Sequence, residues 1–306
     1  MSLQSKPSRT AYILAFTAIY VIWGSTYLGI RVAVETIPPF LMAGMRFAIA
    51  GVLVFTVLKL RGAAWPTAVQ WRDQSVAGIF LLLGGNALVT WSEQTVTSGV
   101  ASLIAGSSPL MVVFLEWIRP GGRRPTWGLI AGVLVGITGI ALLLGPGAIP
   151  AGYRPPAHGL IALFFASACW WIGSFYSKHC KSGTPLLVAS SMQMITGSFT
   201  MLLTGILLGE GRGFHLASVS PHSLEAFAYL VVAGSIVAFP VYVWLLEHTT
   251  TALVSTYAYV NPVVAVFLGW ALLGEPLNLR MLAAVSVIVG AVAIITVVRT
   301  RGVVPE

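Results

Sequence analysis

Residues 100–117 read VASLIAGSSPLMVVFLEW, and residues 253–270 read LVSTYAYVNPVVAVFLGW. At an offset of 153 positions the two stretches share seven of 18 residues, and Pro109 falls on Pro262. Each stretch is apolar and close to the length of about 20 residues that crosses a bilayer as a helix. The chain therefore contains an internal repeat, and each copy carries a proline inside an apolar helix.

The composition of the 306-residue chain indicates an integral membrane protein. Hydrophobic residues make up 57% of the sequence and charged residues only 8%, whereas a soluble globular domain carries about 25% charged residues. The formal net charge of +8 does not indicate a nucleic-acid partner, because the basic residues are spread between apolar runs. We expect the surroundings of the protein to be a lipid bilayer.

Ten apolar segments are long enough to form membrane helices. We predict them at about 11–30, 37–58, 74–92, 99–118, 126–144, 157–177, 184–208, 224–245, 252–272 and 280–298. Five lie in residues 1–150 and five in residues 151–306, which we take as two repeats. Because five is odd, the second repeat enters the membrane with the opposite orientation. The predicted fold is all-α, with ten transmembrane helices in two inverted repeats around a central cavity.

The basic residues predict the orientation of the chain. An even number of spans places both termini on one side of the membrane. Twelve of the 17 lysines and arginines lie in segments on that side, four lie on the other, and Arg46 lies inside a span. The positive-inside rule then predicts that both termini are cytoplasmic.

Two stretches resemble a known family. IWGSTYLGIRVAVETIPPFLMAGMRFAIAG at 22–51 and TYAYVNPVVAVFLGWALLGEPL at 256–277 are similar to the drug/metabolite transporter superfamily, in its ten-helix branch of two EamA domains. The resemblance covers nearly the whole chain. It implies a bacterial inner-membrane transporter that exports amino acids, aromatic and other apolar ones included, by alternating access. Export of another small metabolite or drug stays open, because similar motifs carry many substrates.

An intramembrane enzyme is the alternative from a different class, and the sequence argues against it. All five histidines lie in or near predicted loops, and the one aspartate, Asp73, lies at a span boundary. The H-E-x-x-H motif of metalloproteases is absent. The two cysteines, Cys169 and Cys180, offer no metal-binding spacing. We expect no enzymatic activity, no cofactor and no metal.

The prolines predict where substrate binds. Proline has no N–H group to donate, so Pro109 and Pro262 free the carbonyls of Ala105 and Ala258. We predict helix breaks or hinges there; kinks that serve only packing are the alternative. The expected substrate cavity is lined by neighbouring polar and aromatic residues: Asn86, Ser107, Ser108, Trp171, Tyr242, Tyr257, Tyr259 and Asn261. Tyr257 and Tyr259 are two apart, so at most one faces the cavity unless the helix unwinds. Asn86 fits interhelical bonding equally well.

Charged groups within the membrane are costly and are candidates for function. Arg46 could attract a substrate carboxylate, but we favour pairing with Glu93 or Glu116, or with freed carbonyls. The first span contains no acidic residue, which argues against proton/cation antiport through a first-helix glutamate. We expect one small-molecule partner, an amino acid, and a monomer or weak dimer.

Overall fold

The computed structural model describes residues 7–96, 101, 108–118, 122, 124–143, 156–180, 182–273 and 279–301. These residues form helices and connecting loops, with no strand among them. We label the ten main helices of the described ranges in chain order: α1 (Arg9–Ala33), α2 (Pro39–Leu60), α3 (Ala68–Ser92), α4 (Ser108–Ile118), α5 (Trp127–Leu143), α6 (Ala157–His179), α7 (Leu186–Leu207), α8 (Pro221–His248), α9 (Tyr257–Leu273) and α10 (Leu279–Arg301). A single turn at Thr251–Val254 precedes α9, and a 3₁₀ turn at Leu216–Ser218 precedes α8.

Apolar length identifies the membrane-crossing helices. In the described residues, α1, α2, α3, α6, α7 and α8 are each long and apolar enough to cross a bilayer. Shorter apolar stretches lie in α5, over Trp127–Leu142, and in α10, over Leu282–Val298. The predicted all-α membrane fold is confirmed, and a helix of the described residues overlaps each predicted span.

The packing of the helices reflects the repeat. Helix α2 packs along α7, and α5 packs along α10, so each pair joins corresponding helices of the two halves. Helix α1 packs on α8 and α9, and its counterpart α6 packs on α3 and α4. Exchanging the two halves leaves these pairs of neighbours unchanged, as a pseudo-two-fold axis requires.

Local sequence sets equivalent ends for α2 and α7. Helix α2 begins at Pro39 directly after Pro38, and α7 begins directly after Pro185. Each stops before a glycine with a left-handed backbone, Gly62 (φ 83°) and Gly209 (φ 81°). Glycine adopts this conformation without a steric penalty, which is why it so often follows a helix C-terminus.

A contact between the repeats lies where α2 begins and α7 ends. With cytoplasmic termini, this is the predicted periplasmic end of the helix pair. The carboxylate of Glu210, just after α7, accepts hydrogen bonds from the backbone N–H groups of Phe40 (3.2 Å) and Leu41 (2.9 Å). These donors lie in the first turn of α2, where N–H groups have no partner within the helix. Glu210 thus caps a helix of the other repeat.

Corresponding stretches of α3 and α8 are wound more loosely than an α-helix. Residues Ile79–Ala87 and Leu230–Ala238 each form nine residues of π-helix. Such i→i+5 winding is rare and occurs often at functional sites. Both stretches lie in the third helix of their repeat, and residues of both contribute to the central cavity.

The interruption of the ninth span differs from the prediction. Helix α9 runs without a break through Pro262, and the turn that separates it from Thr251–Val254 is Ser255–Thr256. The hydroxyls of Ser255 and Thr256 donate to the carbonyls of Ala252 (2.8 Å) and Leu253 (2.6 Å). Such local bonds compete with helix continuation. The structure therefore places the break at Ser255–Thr256 rather than at Asn261–Pro262.

Pro262 is the sixth residue of α9 and so lies past the first turn, inside the helix. It removes only the bond that residue 262 would have donated to the carbonyl of Ala258. In the fourth span, α4 begins at Ser108 with Pro109 as its second residue. The side chains of Ser108 and Pro109 are outside the described set, and Ser107 lies outside the described residues altogether.

Candidate substrate cavity

A cavity of about 100 Å³ lies between the two repeats. Side chains from α1, α2 and α3 of the first repeat and from α6, α8 and α9 of the second form its wall. Its polar and aromatic lining consists of Trp23, Thr26, Tyr27, Arg46, Phe47, Asn86, Ser167, Trp170, Phe239, Tyr257 and Asn261. Of the residues expected in a substrate cavity, Asn86, Tyr257 and Asn261 are brought together here, with Arg46 beside them.

Aromatic rings form one wall of the cavity. The ring of Trp23 lies 5.5 Å from that of Trp170 and 5.0 Å from that of Tyr257, both in edge-on arrangements. Centroid separations of 4.5–7 Å are those at which aromatic pairs attract. The wall thus combines α1 of the first repeat with α6 and α9 of the second.

A second layer of rings supports this wall. Tyr242 and Trp171 are fully buried and do not line the cavity. Tyr242 lies 4.8 Å from Trp23, and its hydroxyl shares a 2.6 Å hydrogen bond with Ser174 Oγ. Trp171 stacks on Tyr257 at 6.3 Å. Both were expected to line the cavity; the structure places them directly behind the lining.

Tyr259 lies elsewhere. Its hydroxyl donates to the carbonyl of Val133 in α5 (3.2 Å), and its ring packs on Gly136 of the same helix. Tyr257 and Tyr259 are two residues apart on α9, so their side chains leave the helix in nearly opposite directions. Tyr257 faces the cavity and Tyr259 faces away from it, so the expectation for Tyr259 is corrected.

Two lining tryptophans, Trp23 and Trp170, are not in the set of residues expected to line the cavity. Trp23, Thr26, Tyr27 and Ile30 all line the cavity, and their spacing of three and four residues marks one face of α1. That spacing was a usable signal. Trp170 gave no comparable signal, because nothing in the sequence distinguishes it from Trp171.

Glycines in the loosely wound part of α3 let α6 approach. A Cβ atom added to Gly84 would lie 2.6 Å from the Cβ of Cys169, and one added to Gly85 would lie 2.8 Å from Cε3 of Trp170. Any larger residue at these positions would force a shift. The two glycines therefore fix the position of Trp170 in the cavity wall.

Arg46 brings a positive charge to the cavity. Its side chain is 3% exposed, and Nη2 donates a long hydrogen bond of 3.4 Å to Asn86 Oδ1. The guanidinium carbon lies 4.4 Å from the ring centroid of Phe47. Nε and Nη1 have no hydrogen-bond partner among the described residues. Most of the donor capacity of a buried guanidinium is therefore unused.

The expected pairing of Arg46 with an acid is not found in the described part of the chain. No carboxylate oxygen there lies within 4.0 Å of its guanidinium nitrogens. Glu93 is 1% exposed, and neither of its carboxylate oxygens has a hydrogen-bond partner in this part of the chain. Its backbone carbonyl accepts from Arg31 Nη1 (2.9 Å). Glu116 instead accepts a hydrogen bond from the hydroxyl of Thr251.

Comparison of the sequence with known proteins identifies the family of this chain. The model of the EamA-like transporter family matches the chain twice, over residues 9–145 and 157–297. The uncharacterized inner membrane transporter YedA of Escherichia coli K12 is 35% identical over 284 residues, which cover 92% of this chain and 89% of YedA. The uncharacterized transporter YvbV of Bacillus subtilis is 23% identical over 292 residues, covering 95% and 93%.

A solved structure shares the fold. A protein crystal structure superimposes with a TM-score of 0.76 at 22% identity and covers 96% of this chain and 100% of its own. At that level of identity the likeness concerns the fold. It supports the arrangement of two five-helix repeats described above.

Proposed function

Because the chain belongs to the EamA-like transporter family, we propose that this membrane transporter exports amino acids with aromatic or other apolar side chains. The observation that carries the proposal is the aromatic-walled cavity between the repeats, which also contains the guanidinium of Arg46. Rings suit an apolar side chain, and a guanidinium suits a carboxylate. An amino acid combines the two.

The cavity position supports alternating access as the mechanism. In transporters built from inverted repeats, the substrate site lies between the repeats, and one repeat rocks against the other. Here both repeats contribute to one small cavity, so relative movement of the halves would change the side of the membrane to which it opens. Broad specificity follows from a wall of rings, which adapts to side chains of different shape.

The membrane and orientation are part of the same proposal. The relative YedA carries the name of an inner membrane transporter, and the basic residues favour cytoplasmic termini. Reporter fusions after Arg124 and after Lys181 should be cytoplasmic, and a fusion near Ala151 should be periplasmic. A periplasmic C-terminus would contradict the inverted-repeat topology.

We also propose that the protein acts as a monomer or weak dimer. Large apolar side chains are exposed along α7, including Phe199, Leu203 and Ile206. A lipid bilayer covers such a face without a partner subunit.

Transport by the purified protein in liposomes tests the function. Labelled phenylalanine loaded inside should leave proteoliposomes faster than protein-free vesicles, and unlabelled apolar amino acids should compete. Tyr257→Ala should slow aromatic substrates more than alanine, since a ring contact contributes about 0.5–1.5 kcal/mol beyond buried area. If a cationic drug competes and no amino acid does, the alternative of drug export is correct.

A further inference from the structure

Arg46 and Asn261 form two polar poles in one cavity. Among the described residues, Nε–H and Nη1–H of Arg46 have no hydrogen-bond partner, and neither does Oδ1 of Asn261, which is 2% exposed. Both residues line the cavity. A buried polar group without a partner is costly, so two of opposite character in one space indicate a ligand that satisfies both.

The pole at Asn261 is an acceptor site. Ala258, one turn earlier on α9, also lines the cavity, and its carbonyl lacks the usual donor because residue 262 is proline. The rings of Trp23 and Tyr257 adjoin it. Carbonyl oxygens and ring faces both attract an ammonium group.

The pole at Arg46 is a donor site, and Asn86 holds its guanidinium in place. Asn86 Oδ1 holds Nη2 of the guanidinium, which leaves the other side of the group available. Arginine presents N–H groups in a fork that matches a carboxylate. Glu93 does not occupy that fork, since its oxygens make no contact with Arg46 within hydrogen-bond distance.

We propose that the cavity binds its substrate as a zwitterion, with the α-carboxylate on Arg46 and the α-ammonium on Asn261 Oδ1 and the Ala258 carbonyl. This inference rests on the proposed function, because it takes the cavity to be the transport site. Arg46 belongs to the first repeat and Asn261 to the second, so the bound molecule bridges the two halves. Amines and carboxylic acids that lack the other group should bind less tightly than the amino acid.

Calorimetric titration of the purified full-length protein in detergent, with three probes, tests the assignment. Phenylalanine carries both charged groups, phenethylamine lacks the carboxylate, and 3-phenylpropionate lacks the ammonium. Arg46→Gln should weaken phenylalanine and 3-phenylpropionate by about tenfold or more and leave phenethylamine within about twofold. Asn261→Leu should weaken phenylalanine and phenethylamine and spare 3-phenylpropionate.

Arg31→Gln is the matched control, because Arg31 is exposed, lies outside the cavity and bonds only a backbone carbonyl in the described structure. It should leave all three affinities unchanged. If Arg46→Gln does not fold, Arg46→Lys keeps the charge, loses the fork and should weaken carboxylates alone.

Two results would overturn the assignment: equal weakening of all three probes by each variant, or no binding of phenylalanine by the wild-type protein. The wild-type protein could bind phenylalanine, and the variants could show the selective losses described, while no amino acid is exported from liposomes. That result would refute the proposed function and support the zwitterion site. The two claims therefore fail separately.

Discussion

The two repeats build the same set of helices, yet they contribute different chemistry to the cavity. Both supply aromatic rings and an amide, Asn86 and Asn261, but in the described lining only the first supplies a charged side chain, Arg46. By the repeat offset that aligns Pro39 with Pro185, the position equivalent to Arg46 is Met192, which is fully buried. The symmetry of the chain thus determines where the cavity lies, and the departures from symmetry determine what it binds.

Tyrosines at equivalent positions make the same point. Tyr27 in α1 lines the cavity, whereas Tyr176 in α6 donates a hydrogen bond to Asp73 (3.3 Å) away from it. The identity of a residue is therefore a poor guide to its role when the neighbouring helix differs. Substitutions that make the two repeats more alike or less alike test whether departures from symmetry determine what the cavity binds.

The largest effect is expected from Met192→Arg, which places a charge at the equivalent position of the second repeat. Met192 has no exposed surface, so the new guanidinium would be buried without a partner at a cost of several kcal/mol. We expect loss of folded protein in fluorescence-detected gel filtration. Met192→Leu, which conserves volume, should cost less than about 1.5 kcal/mol. A stable Met192→Arg protein would show that the two positions are interchangeable.

Gly85→Ala changes a residue of the first repeat, in α3, and should displace a ring of the second repeat, that of Trp170 in the cavity wall. The added methyl would collide with Trp170, and overpacking of this kind costs about 1–3 kcal/mol. We expect a lower melting temperature and slower export of aromatic substrates in particular. Gly290→Ala is the control, because an added Cβ there has no neighbour within 4 Å. Equal effects of the two substitutions would contradict the close approach of α3 and α6.

Pro262→Ala tests whether α9 needs its missing hydrogen bond. An interior proline costs about 3 kcal/mol, and about 1 kcal/mol of the gain is lost to the freer unfolded chain, so stability should hold or rise by about 2 kcal/mol. Transport should fall, since the carbonyl of Ala258 would then be occupied. If stability and transport fall together, Pro262 serves packing alone.

The smallest effect is expected from Glu93→Gln. Its carboxylate contacts neither Arg31 nor Arg46 through its oxygens among the described residues, so the amide can replace it without breaking a bond. We expect export within about twofold of wild type, and less than a several-fold change when a pH gradient is imposed across the liposomes. Accumulation driven by the pH gradient and abolished by Glu93→Gln would show proton coupling through this acid.

The spans were predictable from the sequence because apolar length and the proline-bearing repeat act over 20 residues or more. The cavity was predictable in part: helix periodicity required that only one of Tyr257 and Tyr259 face it, and the structure selects Tyr257. The choice depends on how α9 is rotated against its neighbours. Periodicity along one helix does not determine that rotation.

Other features depend on contacts between distant residues. Arg46 meets Asn86 rather than an acid because α3 approaches α2 with its Asn86 face, and no local pattern encodes that approach. The break at Ser255–Thr256 arises from hydroxyls bonding back to the preceding turn. Serine and threonine make such bonds in many settings, so proline was the more visible signal.

The cap that Glu210 places on α2 has a consequence for biosynthesis. The N–H groups of Phe40 and Leu41 are satisfied by a residue about 170 positions later, so the start of α2 lacks these partners until the seventh helix has been made and inserted. Until then, water is the partner open to these first-turn N–H groups. The first half of the chain, although it matches a family model by itself, is thus not complete when it leaves the ribosome. The start of α2 therefore reaches its final hydrogen bonding only when the second half is in place.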